Sequence, residues 1–312
     1  MKEMNKNKSL NGKRIGIFGK GGAGKSTVTL LLASELVRHE YTVIVLDADS
    51  TNLGLSRIFQ IEDSPRSLME FFGGTVFHGG RVTCPVDDPT PLENAEVSLD
   101  SLDNEFYACN PQGILFFVAG KIGGEGPGAG CDGPVAKIAR DFRVTVHNKK
   151  PVTLIDFKAG LEDIARGVIT SLDLAIFIVD ASLVSVEMAA NMKDIIARIR
   201  SHELPATAHL ENPGSVEWAN RFYKNAHIAG LRFILNRISS KDEEDTLTRL
   251  LRDKGIMSSC TIYQNPMIST AWLKGAPLNV QDIKPEIQSL VISSEKDIED
   301  YSRKKSKEDG SS

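Results

Sequence analysis

Seven short apolar runs recur along the chain, at 14–18, 42–46, 113–118, 152–156, 173–179, 231–235 and 259–263, each bounded by polar, glycine or proline positions. Runs of this length, rich in Val, Ile, Leu and Phe, predict strands buried on both faces, as in a parallel sheet. Between them apolar residues return at the helical period. Val28, Leu31, Leu32, Leu36 and Val37 do so within 25–39, Ile138, Ala139 and Phe142 within 135–146, and Val186, Met188, Ala189, Met192 and Ile196 within 183–199. Shorter helices are expected at 53–59, 67–72, 216–223 and 267–274. Repeated strand, helix, strand order predicts an α/β fold, a doubly wound, mostly parallel sheet flanked by helices. Residues 1–12 are lysine-rich and poor in apolar groups, which predicts a mobile tail. Residues 13–292 read as one domain, and 293–312, where Glu, Asp, Lys and Ser alternate, as a polar tail. The stretch 61–110, broken by Gly73-Gly74, Gly79-Gly80 and a Pro/Asp-rich segment at 84–91, reads as long loops around the short helix at 67–72.

The junction between the first strand and the first helix carries the chemistry: Gly19-Lys20-Gly21-Gly22-Ala23-Gly24-Lys25-Ser26-Thr27. Its glycines let the backbone turn N–H groups inward, and the helix that starts at Gly24 aims its positive end at the same spot. The complete G-x-x-x-x-G-K-[ST] match, in the strand-loop-helix context that the motif requires, predicts a P-loop NTPase. Lys25 is placed to reach the β- and γ-phosphates, Ser26 to offer its hydroxyl to Mg²⁺, and the amides of 22–27 to hold the remaining oxygens. Two further strands end in acids where an open α/β sheet meets its ligands. These are Asp47 and Asp49 after 42–46, and Asp156 at the end of 152–156, the Walker B pattern. ATP and Mg²⁺ are the expected ligands.

Composition narrows the class. With 41% hydrophobic residues in 312, the chain can bury a large core, and a net charge of −4 gives no electrostatic footprint for nucleic acid. No run approaches the length of a membrane span, and the first residues lack the apolar core of a signal peptide, so a cytoplasmic protein with no membrane partner is expected. Four scattered cysteines without a C-x-x-C pair indicate neither a disulfide framework nor a single-chain zinc site, and six histidines show no ligand spacing. Cys131 stands apart. It lies in 121–134, which holds six glycines and two prolines, and it precedes a predicted helix whose N-terminus favours a thiolate.

The form K-G-G-x-G-K-S-T, with Lys20 as a second lysine, resembles the deviant Walker A loop shared by MinD, ParA, the nitrogenase iron protein and CooC-type maturation ATPases. That resemblance implies that Lys20 crosses a dimer interface, so that ATP is sandwiched between two copies of the chain. The D-x-D looks like the switch I of this class, implying that Asp47 supports Mg²⁺ while Asp49 positions the hydrolytic water beside the catalytic lysines Lys20 and Lys25. The stretch from Asp156 to Gly167 resembles the D-x-x-A-G-x-E-H-x-x-R-G of CooC-type proteins, which places Gly160 in a switch II loop. Lys158 and Asp163 depart from it. The same class implies that Asn236, followed by Arg237, reads the adenine edge, with backbone contacts from Gln264.

The loop before Cys131 is similar to the cysteine loops of the iron protein and of CooC, which bind a cluster and a metal. The second cysteine of either pattern is missing here. A symmetric dimer would supply two Cys131 thiolates, short of the four ligands of a [4Fe–4S] cluster or tetrahedral zinc, so other donors would be needed. The expected function is a homodimeric Mg·ATP switch ATPase assisting maturation or metal insertion of a client metalloenzyme, with nickel or an iron–sulfur cluster at the dimer interface. Iron-protein-like electron transfer through Cys131 and a MinD/ParA-like positioning role are the alternatives. The tail lacks the aromatic-basic amphipathic helix by which MinD holds membranes.

Overall fold

In the computed structural model, which describes residues 8–73, 82–121, 132–203, 205–276, 278 and 284–309, strands and helices alternate as the apolar pattern predicts. The first β-α-β unit is β1 (Arg14–Gly19), α1 (Lys25–Arg38) and β2 (Val43–Ala48), followed by the single-turn helices α2 (Leu55–Ile58) and α3 (Leu68–Phe71). Next come β3 (Glu96–Ser98), β4 (Ala108–Cys109), β5 (Leu115–Val118), α4 (Gly133–Asp141), β6 (Arg143–Thr145), β7 (Val152–Phe157) and α5 (Glu162–Ala165). The chain continues through β8 (Leu174–Val179), α6 (Leu183–Arg200), α7 (Pro213–Asn225) and β9 (Gly230–Ile238). It then runs through α8 (Lys241–Asp253), β10 (Ser258–Tyr263), α9 (Pro266–Lys274) and α10 (Lys284–Asp309).

Eight strands form one sheet in the order β10-β9-β8-β1-β7-β2-β5-β4, parallel at every pairing except that of β5 with the edge strand β4. Every residue of β1, β2, β5, β7 and β8 is buried, the condition that the uninterrupted apolar runs predict. One core layer packs α4 and α6 against the sheet through Ile138, Ala139, Val186 and Met192. The other packs α1 and α10 through Val28, Leu32, Ile287 and Leu290.

Four readings change. Residues 293–312 are not a polar tail where the structure describes them: α10 runs to Asp309, and Ile287, Leu290, Val291 and Ile298 are buried. Those apolar positions follow a helical period, but charges between them dilute it. Residues 8–12 are not loose either, since Leu10 is fully buried and Lys8 Nζ donates to the His39 carbonyl at 2.6 Å. The helix expected over 135–146 stops at Asp141. Phe142, Val144 and Val146 are buried in alternation, the period of a strand, and β6 pairs in a small second sheet with β3, which lies in the region read as loops. Helix α8, which no apolar run announces, is started by Ser240, whose hydroxyl accepts from the Glu243 N–H, while Glu243 reaches back to the Ser239 N–H.

Candidate functional site

Strand register assembles the phosphate end of the site. Asp156 on β7 lies level with Ile17 on β1 and with Asp47 on β2, so the P-loop and both strand-end acids meet at the carboxyl edge of three adjacent strands. Ser26 Oγ donates to Asp156 Oδ2 at 2.6 Å, and Asn52 Nδ2 donates to Ser26 Oγ at 3.0 Å. Asp47 and Asp156 are both buried, and this hydroxyl-carboxylate set suits a hard, oxygen-seeking cation such as Mg²⁺. Among the described residues no group of three or more His, Cys, Asp or Glu gathers to hold a metal by itself, so Ser26 and phosphate oxygens are needed to complete the set. Asp49 accepts from the Thr51 N–H at 3.0 Å and the Thr51 hydroxyl at 2.6 Å, which turns its carboxylate onto its own loop.

Burial pushes Asp47 up to about 7, against the pull of Lys121, and pushes Asp156 up to about 6, against the Ser26 hydrogen bond and Lys25. Both acids therefore keep protons at pH values where unfolded carboxylates have lost them. The folded chain binds more protons than the unfolded one between about pH 4 and 7, so nucleotide-free stability falls as pH rises across that window. Mg²⁺ needs the ionised forms. Mg·ATP affinity is expected to tighten from about pH 5 to 8 with proton release, and calorimetry in buffers of different ionisation heat measures it. An affinity flat over that range contradicts the assignment.

Each lysine of the site has a definite place. Lys25 is buried within the P-loop. Lys20 Nζ lies 2.8 Å from Asp180 Oδ2 and donates to Ser182 Oγ at 3.2 Å, so within one chain it is tied to the residues that follow β8. Lys121, just beyond β5, donates to Asp47 Oδ2 at 2.6 Å, to the Asp49 carbonyl at 2.7 Å and to the Asn52 carbonyl at 2.5 Å. Three acceptors match the three donors of an ammonium. Asp180 and Lys121 were not anticipated. Both sit at the carboxyl end of a buried parallel strand, the one signal that could have found them.

On the base side a cavity of about 580 Å³ is lined by Gly21, Gly22, Gly24, Lys25, Ser26, Thr27, Asp49, Asn236, Arg237 and Gln264. All of these were expected to meet ATP or the attacking water. Ala23 is buried behind the loop, and its carbonyl accepts from Asn236 Nδ2 at 2.7 Å. Asn236 thus braces the P-loop as well as facing the cavity. Gly24 has φ +94°, and a Cβ there would collide with the Asn236 amide, so this position needs glycine twice over. Arg237, itself at φ 63°, donates to the Gly22 carbonyl at 2.8 Å. Trp272 on α9, another unanticipated wall, donates Nε1–H to Thr27 Oγ1 at 2.8 Å. Gly160, at φ +99°, donates its N–H to the Gly19 carbonyl at 3.1 Å, joining the loop after β7 to the P-loop. Cys131 lies outside the described residues. Among the described residues no helix is long and apolar enough to cross a membrane.

Residues 17–278 match the family described as the CobQ/CobB/MinD/ParA nucleotide binding domain. An uncharacterised ATP-binding protein of Methanocaldococcus jannaschii is 28% identical over 281 residues, covering 89% of this chain and 99% of the relative. The carbon monoxide dehydrogenase accessory protein CooC of Rhodospirillum rubrum is 26% identical over 260 residues, covering 79% and 86% respectively. Among solved structures, the septum site-determining protein MinD of Pyrococcus horikoshii, complexed with Mg-ADP, superposes with a TM-score of 0.53 at 17% identity, over 92% of this chain and 95% of that one.

Proposed function

Because the chain belongs to the CobQ/CobB/MinD/ParA nucleotide-binding family, we propose that it is a homodimeric switch that binds and hydrolyses Mg·ATP in the service of metalloenzyme maturation. The observation that carries the ATPase reading is that Asp47 and Asp156 stand at one level of the sheet with the Ser26 hydroxyl on Asp156, beside a cavity walled by the P-loop, Asn236 and Gln264. Lys25 binds the terminal phosphates, and Ser26, Asp47 and Asp156 hold Mg²⁺ and its waters. When bound there, Mg²⁺ would supply positive charge that offsets the negative charge developing on the phosphate oxygens. Asp49, released from Thr51, orients the attacking water. Gly160, whose N–H donates to the Gly19 carbonyl, belongs to the switch II loop near the γ-phosphate. Asn236, Arg237 and Gln264 hold the base. Lys20 exchanges Asp180 for the nucleotide of a second copy.

Similarity to CooC over most of both chains supports the accessory role, with nickel or an iron–sulfur cluster as cargo and Cys131 as its contact. The test of the switch is direct. The purified chain is expected to release phosphate from ATP only with Mg²⁺ present, and to double its molar mass in light scattering when Mg·ATP is added. A chain that binds ATP but stays at monomer mass and releases no phosphate overturns the reading.

A further inference from the structure

Asp132, which immediately precedes α4, carries a buried carboxylate with partners from three separate parts of the chain. Ser50 Oγ donates to its Oδ2 at 2.9 Å, Lys158 Nζ lies 2.9 Å from the same oxygen, and Arg166 Nη2 lies 3.1 Å from Oδ1. Ser50 follows Asp49 directly and is itself buried, while Lys158 stands two residues beyond Asp156. Arg166 closes α5 and holds Asp163 Oδ1 at 2.9 Å. The two positions where the Walker B stretch departs from the CooC-type pattern therefore both join this cluster, Lys158 through Asp132 and Asp163 through Arg166.

A buried carboxylate shared by two cations and a hydroxyl holds all of its partners in one arrangement, because removing one leaves the others uncompensated in a poorly solvated site. Here the partners are the D-x-D loop, the Walker B loop and the end of α5, and the carboxylate itself stands at the start of α4. Lys121 ties the D-x-D loop from the β5 side, and Asp132 ties it from the Walker B side. We propose that Asp132 is a positioning residue that fixes the D-x-D loop against the Walker B loop, so that the placement of Asp49 and the start of α4 change together with nucleotide state. The proposal rests on the ATPase reading above. A local reporter exists: a Cβ on Gly133 would lie 2.5 Å from Cys84 Sγ, so the Cys84 side chain sits directly on the residue after Asp132.

Two variants and two readouts test it. Ser50→Ala deletes one hydroxyl, and Asp132→Asn keeps the shape while removing the charge. Each is expected to lower kcat about tenfold or more with the nucleotide Kd within about threefold, and the double variant is expected to be no worse than Asp132→Asn alone. The second readout is thiol alkylation resolved by peptide mapping, with the exposed Cys109 as reference. In the wild type the Cys84 rate changes at least about threefold between the nucleotide-free chain and the chain with Mg²⁺ and a non-hydrolysable ATP analogue, and both variants lose that change. Wild-type kcat in folded Ser50→Ala, or kcat losses that multiply in the double variant, overturns the proposal. So does a nucleotide-dependent Cys84 rate that survives in the variants. If Asp132→Asn fails to fold, Ser50→Ala decides alone. If the wild type binds Mg·ATP without turning it over, the ATPase reading fails while the Cys84 arm still decides whether Asp132 couples the loops.

Discussion

Lys20→Ala is expected to leave ATP affinity within about threefold of wild type while abolishing ATP-dependent dimerisation and lowering hydrolysis about a thousandfold, the scale of a cationic finger supplied in trans. The geometry sharpens this expectation. Lys20 is not poised in solvent but paired with Asp180 at 2.8 Å, with side-chain exposures of 32% and 18%. Leaving such a partly exposed pair costs about 1 kcal/mol, which would act as a small brake on the proposed dimerisation. Asp180→Asn removes the brake, and dimerisation should then occur at about fivefold lower ATP concentration. Light scattering against ATP concentration measures both variants. A Lys20→Ala chain that dimerises like wild type removes the trans role, and weaker dimerisation in Asp180→Asn would assign Asp180 to the interface itself.

Lys121→Met is expected to destabilise the nucleotide-free chain by about 2–3 kcal/mol, because it leaves Asp47 buried beside Asp156 without its cation. For a chain of this size that corresponds to a fall of about 4 °C in Tm. Saturating Mg·ATP should shrink the gap, since the bound divalent cation then balances the same carboxylates. Lys121→Arg should recover only part of the loss. Three acceptors converge on one point around the ammonium, and a planar guanidinium cannot serve all three. Melting curves with and without Mg·ATP test this, and a Tm for Lys121→Met unchanged in both conditions contradicts the pairing.

The parts of the fold that were legible share a property. Residues 14–18 and 152–156 read as strands because a strand buried on both faces is apolar throughout, whatever its neighbours are. The stretch 142–146 read as helix because Phe142 extends the helical stripe of Ile138 and Ala139. Only pairing with Glu96–Ser98 makes its alternation meaningful. Helix α10 was hidden because charges separate Leu290 from Ile298, and its apolar face is recognisable only once α1 lies opposite it. Tertiary burial overrode composition there.

By itself the sequence determined the P-loop, the strand-end acids Asp47, Asp49 and Asp156, and the doubly wound class. Each of these is encoded in consecutive residues whose chemistry depends on nothing distant. Only the tertiary structure decided that Lys20 rests on Asp180, that Lys121 caps the Asp47 carboxylate, and that Asp132 gathers Ser50, Lys158 and Arg166. Those contacts join residues far apart in the chain through strand order and register, and charge pairs formed across such separations have no local pattern from which to be read.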